Sequence, residues 1–301
     1  MQSTKGARLA PLLVALASVS LLASCGGSSG EAEPQPTPEA VSTTTVTPSP
    51  STPSTPGSSA PSSSKTTSAT KISEPKDSLK GDTRNAIAYA PLRHPSEVTV
   101  VGSVPSSRAW STSKVLIVCA FIDTVAGGDP GQLTADQRAL ITRALTASDM
   151  NALITLRSAI PGGAQQPITA ILRSIGDTTT QVPAAKEGVM QWGIREQVRF
   201  MAALANGQVV SPATSRYVVK TMHPIPQHRW GLGTIGASAF KGGWLTPDTE
   251  TRQMGIVDGY AVAIITAGDG PAVLQSDGDS AHVQQMDRLA KALEARLRAE
   301  P

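Results

Sequence analysis

Residues 41–70 contain 24 serine, threonine or proline residues out of 30. Such a stretch offers too little apolar surface to bury, and its prolines interrupt any backbone hydrogen-bond ladder, so it cannot build a core. It divides the 301-residue chain unevenly. Ahead of it lies a short apolar segment. Behind it, from residue 84, come 218 residues with 20 Lys plus Arg against 17 Asp plus Glu. That length suffices for one large domain that buries most of its surface. So small a net positive charge, spread evenly, gives no electrostatic footprint for nucleic acid. With Cys25 and Cys119 as the only cysteines, a disulfide scaffold is excluded. The expected partition is a leader over 1–24, a tether over 25–83 and a folded domain over 84–301.

The leader begins with Lys5 and Arg8, followed by an apolar run from Leu9 to Leu22 interrupted once by Pro11. A run this short does not span a bilayer of about 30 Å but suits a signal-peptide core. It ends in Leu22-Ala-Ser-Cys25-Gly-Gly27, which resembles a bacterial lipobox. The resemblance implies diacylglyceryl transfer to the Cys25 sulfur, then cleavage before it. The mature chain is therefore expected on the outer face of the cell membrane, its membrane partner engaged through lipid on Cys25. The Ser/Thr/Pro tether would hold the domain away from that surface.

In the folded part, Ile87, Tyr89 and Val98–Val101 read as short strands. Ser111 to Val125 contains no Gly or Pro and is strongly apolar, predicting a buried helix in which Cys119 is a small core residue. Thr134 and Gln137 have capping-box spacing ahead of an amphipathic helix. Further helices are predicted over Asp149–Ile160, Ile168–Ile175, Ile194–Leu204 and Val283–Arg298. Strands are predicted at Leu232–Ile235, Phe240–Leu245, Met254–Asp258 and Ala261–Thr266, the last apolar throughout, as a central strand covered on both faces would be. The fold class is therefore α+β in layers, an antiparallel sheet flanked by helices with an inserted all-helical lobe.

Ser-x-x-Lys occurs five times, starting at Ser62, Ser68, Ser73, Ser111 and Ser238. Only Ser111-Thr-Ser-Lys114 opens a buried helix, where residues three apart share a face. A serine hydroxyl needs a base to attack at neutral pH, and a desolvated lysine with lowered pKa can serve. The helix N-terminus beneath Ser111 supplies backbone N–H groups for an oxyanion. Ser148-Asp149 follows 37 residues later, at the junction of two helices, and Lys241-Gly242-Gly243 lies on a predicted strand.

The order Ser-x-x-Lys, Ser-Asp, Lys-Gly-Gly resembles that of the penicillin-recognising serine enzymes, specifically class A β-lactamase-like domains of exported actinobacterial lipoproteins. Ala144–Asp149, Gln197–Ala203 and Arg229–Gly233 add to the likeness. It implies Ser111 as nucleophile, Lys114 as its base, Ser148 as proton carrier and Lys241 as an electrostatic group for a substrate carboxylate. It also implies an oxyanion site between the Ser111 and Trp244 amides, and a cell-wall peptide or β-lactam as acyl donor. It implies no cofactor. Three departures accompany it. Met150 stands where the family has Asn, with Asn151 one residue late; Gly242 replaces a hydroxyl residue; and no Glu-x-x-Leu-Asn stretch supplies a water-activating carboxylate, Glu187, Glu196 and Asp177 being the only acidic residues between Met150 and Lys241. The expectation is thus a serine hydrolase or acyl transferase with poor deacylation. The rival is an envelope-binding scaffold on the same fold. A relocated base such as Glu187 is the weakest variant. His94, His223, His228 and His282 lack metal-ligand spacing.

Overall fold

The fold was obtained as a computed structural model, which describes residues 79, 82–245, 250–267 and 281–300. The leader, Cys25 and nearly all of the tether lie outside these residues. Residues 70–301 form one compact unit with its own core. Its strands and helices run β1 (Asn85–Pro91), β2 (Thr99–Gly102), β3 (Ser106–Arg108), α1 (Ser113–Val125), α2 (Ala135–Thr146), α3 (Met150–Ser158), α4 (Gln165–Ser174), β4 (Gln191–Gly193), α5 (Ile194–Ala205), α6 (Pro212–Thr221), β5 (Ala239–Gly243), β6 (Glu250–Val257), β7 (Tyr260–Ala267) and α7 (Ala281–Leu297). The layered α+β architecture expected from the sequence is the one observed.

The main sheet is antiparallel in the order β2-β1-β7-β6-β5. Strand β7 sits at its centre, and its side chains alternate between two cores. Ala261, Ala263 and Ile265 join α1 and α5 on one side, while Val262 and Ile264 join α7 on the other. Period-two alternation with both faces covered explains why this strand is apolar at every position. Helix α1 is the axis of the helical lobe. Ser113 to Ile122 are all buried, with α2, α3, α4 and α6 packed around it. Cys119 has no solvent exposure, and burial pushes its thiol pKa upward, so it is an inert core residue.

One sequence expectation changes, and two features were not foreseen. Leu232–Ile235 is not a strand but part of a 3-10 helix, Gly231–Ile235. Gly231 takes φ 61, a cost-free conformation for glycine alone, and the Leu232 amide donates to Gln253 Oε1 at 2.7 Å instead of to a neighbouring strand. Helix α6 was unmarked by periodicity, although Ser211 caps it through Thr214 N and Pro212 occupies its first turn. A two-stranded sheet, β3 with β4, is too short to produce a pattern.

That small sheet is held to the large one by Arg252 of β6. Its guanidinium is fully buried and donates to Ser107 O, Arg108 O, Trp192 O and Gln197 Oε1 at 2.6–3.2 Å. Burial lowers its pKa to about 9, which keeps it charged at neutral pH. Replacing Arg252 by Ala leaves Gln197 Oε1 and Arg108 O without this donor and strips a second bond from the paired Ser107 and Trp192 carbonyls. The expected loss is at least about 3 kcal/mol, since each unmatched buried group costs about 1–3 kcal/mol. Urea unfolding of the Arg252→Ala chain reads it. Arg252→Lys recovers little of the loss, because a single ammonium lacks the planar fork needed to reach acceptors in several directions.

Candidate active site

Ser111 occupies the middle of a single 3-10 turn, Trp110–Thr112, that runs directly into α1. The predicted helix therefore starts two residues later than expected, on a tighter turn. Trp110 has φ 43, an uncommon left-handed conformation that costs roughly 1–3 kcal/mol in a non-glycine residue. The turn keeps it because its surroundings fix it from several directions. Arg252 holds the carbonyls of Ser107 and Arg108 just upstream. Gln197 Nε2 donates to Thr112 Oγ1 at 3.0 Å, and Thr112 Oγ1 donates to Ala109 O.

The end of β5 closes the other side. A Cβ at Gly243 would lie 2.8 Å from Ala109 O, 2.9 Å from Ser111 N and 3.0 Å from Thr112 N. Only glycine lets the strand run this close to the amide of Ser111, and the next residue is Trp244. This is the placement that an oxyanion site between the two amides requires.

Around Ser111 the structure assembles the remaining predicted residues in two lysine–serine pairs. Lys114 Nζ is 2.8 Å from Ser111 Oγ, and Lys241 Nζ donates to Ser148 Oγ at 2.9 Å and to Gly242 O at 2.7 Å. Both lysines are nearly inaccessible, at 1% and 2% exposure. Burial pulls Lys114 down to about 8 against the opposing charge of Asp149. Burial and the charge of Lys114 hold Lys241 well below its ordinary value. Withdrawal of Lys114 from water makes a neutral amine beside Ser111 accessible near pH 8, while the like charge acts on Lys241.

Ser148 is not a helix cap. Asp149 caps α3, its carboxylate accepting from Ala152 N at 3.0 Å. Ser148 stands one residue earlier at φ 60, and this turn of the chain sends its hydroxyl to Lys241. Asn151 is exposed and is not among the residues lining the cavity. Met150 instead lines the cleft. Gly242 has a structural reason. A Cβ there would meet Trp244 Cζ3 at 2.9 Å, so the indole takes the space of the missing side chain. Trp244 also packs edge-on against Trp230 and His228, combining sheet packing with lining the cleft.

The cleft is a cavity of about 410 Å³ whose floor holds Ser111 and Lys114. Glu187 lines it too, on a 3-10 turn that packs against the Ser111 turn. Both Glu187 oxygens accept from Arg157 Nε, at 2.7 and 3.0 Å. The Arg157–Glu187 pair, the strained Trp110 and the apolar side chains of the rim were not singled out as site components from the sequence. A Cβ at Gly188 would meet Trp110 O at 3.4 Å, an ordinary contact, so nothing local in the sequence marks this approach. Among the described residues, no cluster of three His, Cys, Asp or Glu could hold a metal ion.

The pH dependence of Ser111 follows from this geometry. Only an unprotonated Lys114 could accept a proton from Ser111, so covalent labelling of Ser111 is expected to rise with pH and to be half-maximal near 8. Lys114→Ala lowers the plateau by about 100-fold or more, the usual worth of a positioned base. Rates of covalent labelling between pH 6 and 10 provide the check.

No known protein-family profile matches the sequence, and no curated protein matches it either. Solved structures do. A β-lactamase from Chitinophaga pinensis superposes with a TM-score of 0.57 at 15% identity, covering 73% of this chain and 95% of that one. The chromosome-encoded β-lactamase of Vibrio parahaemolyticus gives 0.55 at 14% identity, over 72% and 94%. A variant of the last common ancestor of Gram-negative class A β-lactamases gives 0.54 at 18% identity, over 71% and 94%. The folded part of this chain has the class A β-lactamase fold.

Proposed function

We propose that this chain is an exported lipoprotein, anchored through Cys25, whose folded domain forms an acyl-enzyme on Ser111. The observation that carries the reading is the 2.8 Å contact between Ser111 Oγ and a Lys114 amine poised near pH 8. In the proposed reaction Lys114 takes the proton from Ser111, Oγ attacks the acyl carbon, and the Ser111 and Trp244 amides face the developing oxyanion. Ser148, held by Lys241, carries the proton to the leaving group. The likeness in fold to class A β-lactamases supports this assignment of roles.

Release is expected to be slow. Glu187 is the only carboxylate among the described residues lining the cavity, and Arg157 occupies both its oxygens. Among the described residues the cavity therefore holds no uncommitted carboxylate to activate water, and an acyl group is expected to stay on Ser111 until another acceptor arrives. A scaffold reading, with the fold kept and the chemistry lost, is supported by Met150, which stands where the family has Asn and lines the cleft. Against it stands the intact Ser111–Lys114–Ser148–Lys241 geometry, which a pure scaffold has no reason to maintain.

Incubation of residues 70–301 with a fluorophosphonate probe and with acylating esters, followed by intact-protein mass, tests the proposal. Wild type is expected to gain one adduct, absent from Ser111→Ala, and the ester adduct to persist for hours. Glu187→Gln is expected to change that lifetime less than about twofold; a much longer lifetime would make Glu187 the deacylating base. Failure of wild type to react with any of these reagents would favour the scaffold. Lipid on Cys25 is read separately, by the mass of the N-terminal peptide of membrane-extracted protein.

A further inference from the structure

Five large hydrophobic side chains are well exposed among the described residues, and four of them line the cavity over Ser111. These are Met150 at 55%, Ile154 at 52%, Leu245 at 50% and Val189 at 48% exposure. Single exposed apolar residues are ordinary, whereas a cluster rimming one cleft marks a binding surface. Met150 and Ile154 are four residues apart on α3, so they form one stripe on its cleft face. Val189 faces them from the Glu187 turn, and the indoles of Trp110 and Trp244 line the same cavity.

Cations that a substrate carboxylate would need are committed elsewhere. Lys241 is 2% exposed and bonds Ser148 and Gly242 O. Arg157 bonds Glu187 and Ala184 O. Arg252 is buried among four acceptors on the core side of its strand. Gly242 offers no hydroxyl, and Lys186 stands exposed at the rim, where its charge is solvated. A charged peptide or penicillin carboxylate thus finds an apolar wall instead of a paired partner, and burying it there is unfavourable.

Resting on the acyl-enzyme reading above, we infer that the acyl group this site accepts is uncharged and apolar, a medium-chain acyl ester. Ser111 Oγ bonds to the ester carbonyl carbon while the bond from that carbon to the alkoxy oxygen breaks. The Ser111 proton passes by way of Lys114 and Ser148 to the departing oxygen, which leaves as the alcohol. The acyl chain remains on Ser111 with its methylenes against Met150, Ile154 and Val189.

The experiment uses the full chain with p-nitrophenyl acetate, butyrate and octanoate and a penicillin, Ser111→Ala subtracting background. The second-order acylation rate is expected to rise with chain length, with octanoate at least about tenfold faster than acetate; full burial of each methylene sets a ceiling of roughly fourfold per carbon. The penicillin is expected to react no faster than acetate. Ile154 and Val189 are half exposed, so Ile154→Asp and Val189→Asp leave the core intact; each is expected to reduce the octanoate preference several-fold. A flat chain-length profile, or a penicillin faster than octanoate, overturns the inference. If a fluorophosphonate still labels Ser111 in that case, the nucleophile stands and only the substrate class falls. No reaction of wild type with any reagent refutes both.

Discussion

The chemistry of this domain depends on one seam, where the last residues of β5 run against the turn that carries Ser111. At Gly243 there is no room for a side chain, because a Cβ would lie within 3.0 Å of Ala109 O, Ser111 N and Thr112 N. That contact joins the sheet to the helical lobe. Lys241 stands two residues before Gly243 on this strand, and Trp244 one residue after it. Arg252, on the neighbouring strand opposite Gly243, secures the same seam from beneath by gathering the carbonyls of Ser107, Arg108 and Trp192. A strained Trp110 is tolerated because the surrounding structure determines its position several times over.

With the backbone fixed, electrostatics decides what the serines can do. Two lysines are withdrawn from water within one small site, and Asp149 partly offsets the effect on Lys114. The arrangement disfavours positive charge, so it lowers the proton affinity of the amine beside Ser111. Ordinarily such burial would be a liability for a fold. Here each ammonium has a serine hydroxyl as hydrogen-bond partner, so the desolvated groups remain satisfied. The departures from the β-lactamase pattern lie outside this inner set. On the proposed function, Met150, Gly242 and the missing glutamate bear on which acyl group enters and how it leaves, not on the Ser111–Lys114 contact.

Much of this was legible in the sequence because it is local. The uninterrupted apolarity of α1 separated Ser111 and Lys114 from four other Ser-x-x-Lys matches, and β7 announced its central place by having no polar face. What stayed hidden depends on proximity between distant segments. Arg252 reads as one charge in an alternating strand, and nothing nearby in sequence reveals that Trp192 and Ser107 need its donors. Glu187 lacked the expected motif, yet its turn packs beside Trp110. The Leu232–Ile235 stretch was misread because its apolar residues suit a strand, while Gly231 and Gln253 impose a 3-10 turn. The apolar rim was half readable, since Met150 and Ile154 share a helix face, but Val189 and Leu245 join them only through the fold.

The central claim is that burial of Lys114 creates a neutral amine beside Ser111. Titration of lysines carrying ¹³C at Cε, followed by NMR, tests it most directly, with Lys114→Ala and Lys241→Ala assigning the two signals. The account predicts that Lys114 titrates near 8 and Lys241 also well below an ordinary lysine. Both lysines titrating near the usual value of about 10.4 would mean that Ser111 has no base at neutral pH, and the account would be wrong.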